Sequence, residues 1–229
     1  MTATALMLAA AILATAGAAS AQQMRSDDMG QAPMGDAKRI RITYENLTAS
    51  QVISPSAFIS HNASAPALYM EGKPASFFLQ RMAEEGNAGP LLSGSVVKTL
   101  GGAFGSSITA TALPPGMTRT VELDVTREHP MISGFAMLVM TNDGFVGVSS
   151  MDAFNLRQPT TIDLYAMDAG TERNTEMGEH LVALMGSGRA PEEGVVTRHT
   201  GLRGDADAPG GWKFDPARPV ARITFAPVR

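Results

Sequence analysis

Two short acidic segments hold the residues best suited to chemistry, and each follows an apolar stretch. Thr141-Asn142-Asp143-Gly144-Phe145 comes after residues 132–140, and Asp168-Ala169-Gly170-Thr171-Glu172 comes after residues 160–167. Carboxylates placed just past two strands converge if those strands finish at the same rim. A hard cation such as Ca²⁺ takes about six to eight oxygen ligands from carboxylates, backbone carbonyls and water. Asp168 and Glu172, four positions apart across a Gly-bearing turn, can approach one ion together, and the glycines let backbone carbonyls turn inward. Ordinary turn chemistry accounts for the same residues without an ion, because Asn-Asp-Gly and Asp-Ala-Gly both favour turns. Asp152 and Asp163 are neighbouring candidates. Asp163 sits inside a strand, where alternation can turn it away from such a site.

Other chemistries find little support. Glu179-His180 lacks the second histidine of H-E-x-x-H, and neither a G-x-S-x-G elbow nor a phosphate-binding G-x-x-x-x-G-K-[ST] occurs. His61, His129, His180 and His199 are scattered without ligand spacing and read as surface or satisfied core histidines. The chain has no cysteine, which removes disulfides, thiolate metal sites and cysteine nucleophiles together. A formal net charge of −4 argues against nucleic acid, which calls for a basic patch or stripe. Arg203-Gly204-Asp205 spells an adhesion-type tripeptide, but in a loop rich in Gly and Asp it reads as chance. Asp205 and Asp207 read as solvated loop charges. Asn46-Leu47-Thr48 and Asn62-Ala63-Ser64 match glycosylation sequons.

The elements that must position these loops are mostly strands. At the N-terminus, residues 6–19 are apolar and small, and Ala19-Ser20-Ala21 fits a signal-peptidase site, so residues 1–21 are expected to form a cleaved secretory signal. Residues 22–37 read as a flexible leader. Met24, Met29 and Met34 could offer thioethers to Cu(I), but a plain linker is the simpler reading. Ile40, Ile42 and Tyr44 alternate with polar residues, as do Val121, Leu123 and Val125, and again Ala221, Ile223 and Phe225; all three are strand patterns. Residues 51–60 read as an extended piece interrupted by Pro55. Residues 132–140 are almost wholly apolar, like a buried central strand, and 160–167 form another strand. Residues 74–87 predict a helix starting at Pro74 and stopping at Gly86-Asn87, and 89–105 a short second one. Residues 200–216 read as a long loop. The whole is expected to be a mainly β, antiparallel β-sandwich with one or two short helices, spanning residues 38–229 as one domain.

Residues 132–176 resemble the core of the spondin domain. The likeness is carried by Phe135-Ala136-Met137-Leu138-Val139, by residues 141–147 (TNDGFVG) and by residues 162–172 (IDLYAMDAGTE), with a weaker match at residues 41–57. It extends roughly over residues 38–190. It implies a C2-type β-sandwich that binds one calcium ion through these loops, with Asp143, Asp168 and Glu172 as ligands. Three departures are evident: the chain lacks the cysteines of animal members, has Glu172 where Asp is commoner, and places Gly144 before Phe145. The resemblance implies a secreted or periplasmic, non-enzymatic protein whose ion plays mainly a structural role, with an unidentified extracellular or cell-surface ligand. A calcium-dependent binding module for lipid headgroups, matrix or glycans is the alternative; Phe145 reads either as a tip residue of that module or, at least as readily, as a core residue. A metal-assisted hydrolase is a third reading and needs a general base near Asp143.

Overall fold

The computed structural model describes residues 37–92 and 102–228, and two antiparallel sheets dominate it. Among the described residues there are ten strands: β1 (Lys38–Asn46), β2 (Ser56–His61), β3 (Phe104–Ala110), β4 (Thr118–Val125), β5 (Met131–Met137), β6 (Gly144–Asp152), β7 (Thr160–Leu164), β8 (Met167–Asp168), β9 (Thr197–Arg198) and β10 (Ala221–Pro227). One sheet has the order β4-β1-β10-β7 and the other β3-β2-β5-β6-β8-β9. The signal reading (1–21) and the leader reading (22–37) lie, except for Ala37, outside the described residues. Among the described residues no helix is long and apolar enough to cross a membrane.

Side-chain alternation explains the first sheet. Ile40, Ile42, Tyr44, Leu123, Val125, Ile223 and Phe225 all point into the space between the sheets. Their outward neighbours pair across strands: Arg39 with Asp124, Arg41 with Glu122, and Arg222 with Asp163. Asp163 therefore lies on an outer face as an ion-pair partner, away from the acidic loops. The second sheet is covered on both sides, which is why β2 is buried along its whole length and β5 nearly so. One face meets the first sheet. The other packs Ala57, Ile59, Phe135 and Phe145 against Leu79, Met82 and Ala83 of helix α1 (Phe77–Glu85).

Helix α1 begins later than Pro74 suggests. Ser76 is its N-cap, its hydroxyl accepting from the Leu79 N–H at 3.1 Å. It ends at Gly86, whose left-handed backbone (φ 63°) lets the Gly86 and Asn87 N–H groups reach the Met82 and Arg81 carbonyls. Of the expected second helix, Gly89–Leu92 (α2) is helical; residues 93–101 lie outside the described residues, and Phe104 opens β3. The strand expected over 160–167 proves to be two. β7 pairs with β10 in the four-stranded sheet, and β8 pairs with β6 and β9 in the other. The chain thus changes sheets at Tyr165-Ala166. Strand β6 has no clear pattern in the sequence. Gly144, Gly147, a register shift opposite β5 and Ser150 at φ 52° disguise its periodicity.

The buried His61 makes the fold acid-sensitive. Its Nδ1 lies 3.0 Å from the Asn62 carbonyl, so that nitrogen carries the proton, and Nε2 accepts from the Ser133 hydroxyl at 2.8 Å. Burial holds its pKa below the ordinary value. A depressed histidine pKa favours the folded state above about pH 6.5, and that contribution drains away as pH falls toward the folded-state value. The difference in urea midpoint between the wild type and His61→Gln is therefore expected to shrink from pH 7.5 to pH 5.5, which separates the His61 contribution from that of other titrating groups. An equal difference at both pH values would contradict this.

Candidate metal centre

Strand directions bring the two acidic loops together. β6 runs antiparallel to both β5 and β8, so β5 and β8 run the same way and end at one rim. Gly144 faces Asp168 in the β6–β8 ladder, which sets Asp143 next to Asp168. The turn before β6 is tightly made. The Thr141 hydroxyl donates to the Leu138 carbonyl at 2.7 Å and accepts from the Gly144 N–H at 2.9 Å. A Cβ at position 144 would lie 2.4 Å from that hydroxyl oxygen, so only glycine fits. Gly170 has φ 68°, and a Cβ there would strike the Val195 backbone at 2.6 Å.

Asp143 is wholly buried. Its Oδ2 accepts from the Thr171 N–H at 2.7 Å, the Glu172 N–H at 3.0 Å and the Thr171 hydroxyl at 3.2 Å. Its Oδ1 is buried with no hydrogen-bond partner. Burial, and then the charge of Asp168, push its pKa up to about 7 against the three stabilising donors. Asp168 is half-buried; its Oδ1 accepts from the Gly170 N–H at 2.7 Å and its Oδ2 from the Asn174 side-chain amide at 2.5 Å. The carbonyl oxygen of that amide, Asn174 Oδ1, is likewise buried and unpartnered.

Glu172 takes a different part. Its backbone N–H serves Asp143, but its carboxylate receives Arg189 Nη1 at 2.9 Å. The same guanidinium pairs with Glu84 and Glu85 at the end of α1. Burial raises the Glu172 pKa, and Arg189 opposes that rise. The fourth carboxylate of the region, Glu176, is fully buried and holds the Arg203 and Gly204 backbone N–H groups at 2.5 and 2.6 Å. It thereby anchors the Arg203-Gly204-Asp205 loop, in which Arg203 pairs with Asp205. Asp152 lies at the far end of β6 and binds Asn155.

His199 closes the inner side of the site, with its Cδ2 against Gly144. Its Nδ1 accepts from the Gly201 N–H at 2.9 Å, so the neutral ring carries its proton on Nε2, which is buried and unpartnered. A protonated Nε2 cannot ligate a metal. The donors left for a cation are all oxygens, the chemistry of Ca²⁺ rather than of an imidazole-seeking transition metal. Among the described residues no group of three or more His, Cys, Asp or Glu side chains is arranged to hold a metal ion. The buried side-chain oxygens left without a partner in these two loops are Asp143 Oδ1 and Asn174 Oδ1.

Several expectations need revision. Of the two readings of Phe145 the core one holds: it is fully buried, edge-on to Tyr69 at 5.0 Å. The Asn46 sequon is a structural turn, its buried amide donating to the Gln51 and Leu113 carbonyls. Asn174, Arg189 and His199 also belong to the site, and as single polar residues in loops they carry no spacing signal in the sequence.

The Spondin_N family model matches residues 46–180, which include Asp143, Asp168, Glu172 and Asn174. Spondin-2 of Homo sapiens is 31% identical over 120 residues, covering 48% of this chain and 35% of that protein. The match thus spans about a third of the relative's length. With the family model matching more than half of its length, the chain belongs to the Spondin_N family.

Proposed function

We propose that this chain is a secreted or periplasmic, non-enzymatic spondin-domain module that binds one calcium ion between its two acidic loops, and that the ion is mainly structural. The observation that carries this reading is the buried, unpartnered Asp143 Oδ1 beside Asp168. A buried carboxylate with an idle oxygen and a like-charged neighbour is costly unless a cation compensates it. Two carboxylates match the charge of one Ca²⁺. Asp143 and Asp168 would hold the ion, while Glu172 couples the loop to Arg189. An ion that binds only the folded state raises stability in proportion to the logarithm of its concentration. Millimolar calcium is therefore expected to raise Tm above its value in EDTA, and Asp168→Ala to abolish the difference. Equal melting temperatures for the wild type in calcium and EDTA would overturn the reading.

The apolar loop beyond the site is where a lipid or cell-surface contact would fall. Met177, Val182 and Leu184 are exposed and Met185 is 92% exposed, and Thr175 ties this loop to His180 at 2.9 Å. Co-sedimentation with phosphatidylserine vesicles in calcium but not in EDTA would support that second reading; no co-sedimentation in either would end it.

A further inference from the structure

The identity of the third side-chain ligand follows from which oxygens are already engaged. Glu172 is taken up by Arg189, whose guanidinium also serves Glu84 and Glu85. Moving the Glu172 carboxylate to an ion would strip a nearly buried glutamate from its ion pair. Asn174 has no such prior engagement for its oxygen. Its amide nitrogen donates to Asp168 Oδ2 at 2.5 Å, and because a carboxylate oxygen can only accept, this contact fixes which end of the amide is nitrogen. Its Oδ1 is left buried and unpartnered, as is Asp143 Oδ1, and Asp168 links the two residues by accepting from the Asn174 amide and acting on the Asp143 charge. The Asn142 side chain ties the two loops together at this point: its Nδ2 donates to the Thr175 hydroxyl at 3.4 Å, and its Oδ1 accepts from the Glu176 N–H at 3.3 Å.

We infer that Asn174 Oδ1, and not the Glu172 carboxylate, is the third side-chain ligand of a hard divalent cation held by Asp143 and Asp168. This rests on the calcium reading above and names the donors of that same site. It gives the ion two negative charges and one neutral amide oxygen, so the bound cluster is electroneutral. The Asn174 amide then acts twice: its nitrogen orients Asp168, and its oxygen meets the ion, as side chains that fix a ligand commonly do.

Calcium titrations by calorimetry on the full chain separate the two assignments. Asn174→Ala is expected to weaken calcium binding by roughly tenfold or more, the scale on which ligand-shell changes act. Glu172→Gln keeps a hydrogen-bonding partner for Arg189 and is expected to leave affinity within about threefold. Asn174→Asp keeps an oxygen at the position but adds a charge beside Asp168. It is expected to melt below the wild type in EDTA and to show a larger calcium-induced Tm rise. Wild-type affinity in Asn174→Ala, or a loss in Glu172→Gln equal to or greater than that in Asn174→Ala, would overturn the assignment. A wild type that gives no calcium heat would instead overturn the calcium reading on which it stands.

Discussion

Asp143→Asn is expected to melt higher than the wild type in EDTA and to lose its response to calcium. The wild-type side chain is fully buried, has one oxygen without a partner, and faces the charge of Asp168. Raising its pKa from 3.8 to about 7 means that the folded environment resists the ionised form. Three pKa units correspond to about 4 kcal/mol at most, and relaxation of the site reduces this to ~2 kcal/mol. Asparagine keeps an acceptor for the Thr171 and Glu172 N–H groups while removing the charge, and its NH₂ can donate toward Asp168. Each kcal/mol moves Tm by about 2–4 °C for a chain of this size, so a gain of roughly 4–8 °C at pH 8 is expected in EDTA. In millimolar calcium the order reverses, because only the wild type gains binding energy. A variant less stable than the wild type in EDTA would mean that the Asp143 charge is already compensated by the three donors.

Arg189→Ala is expected to be among the most damaging single changes at the rim. The guanidinium is the meeting point of Glu84, Glu85 and Glu172, and Glu84 and Glu172 are only 8% and 2% exposed. Removing it leaves two nearly buried carboxylates without their cation. Breaking such a pair from one side costs about 3–5 kcal/mol, and because Arg189 itself is about a third exposed the lower end applies, ~3 kcal/mol. Arg189→Lys is expected to recover only part, since an ammonium lacks the fork that serves three carboxylates at once. Guanidinium or urea midpoints give the size directly, and a loss below about 1 kcal/mol would show that these carboxylates are solvated rather than buried. Loosening of α1 from the acidic loop should accompany the loss, visible as faster amide exchange over residues 77–85 and 171–174.

The rim was partly legible in the sequence, and the reasons differ from residue to residue. Alternation exposed β1, β4 and β10 because each has one buried and one solvated face. The apolar run at β5 was legible as a central strand because helix α1 covers its second face. β6 was hidden, since glycines and a bulge interrupt its period, and this concealed the register that sets Gly144 beside Asp168. The sheet change at Tyr165-Ala166 has no sequence mark either, as both halves have strand character. Asp143 and Asp168 stood out by lying in Gly-containing loops after apolar segments. Glu172 stood out for the same reason, but its partner Arg189 lies 17 positions on and α1 lies far upstream, so its engagement emerges only in three dimensions. Cysteine-free construction is also intelligible now. Two clusters of buried apolar side chains, one on each face of the six-stranded sheet, supply the core without covalent staples.

The central claim is that Asp143 and Asp168 together hold one divalent cation. Isothermal titration of calcium into chelator-stripped protein tests it most directly. The account predicts one binding event per chain in the wild type and none in the Asp143→Asn, Asp168→Ala double variant. No binding to the wild type at millimolar calcium, or undiminished binding to the double variant, would contradict it.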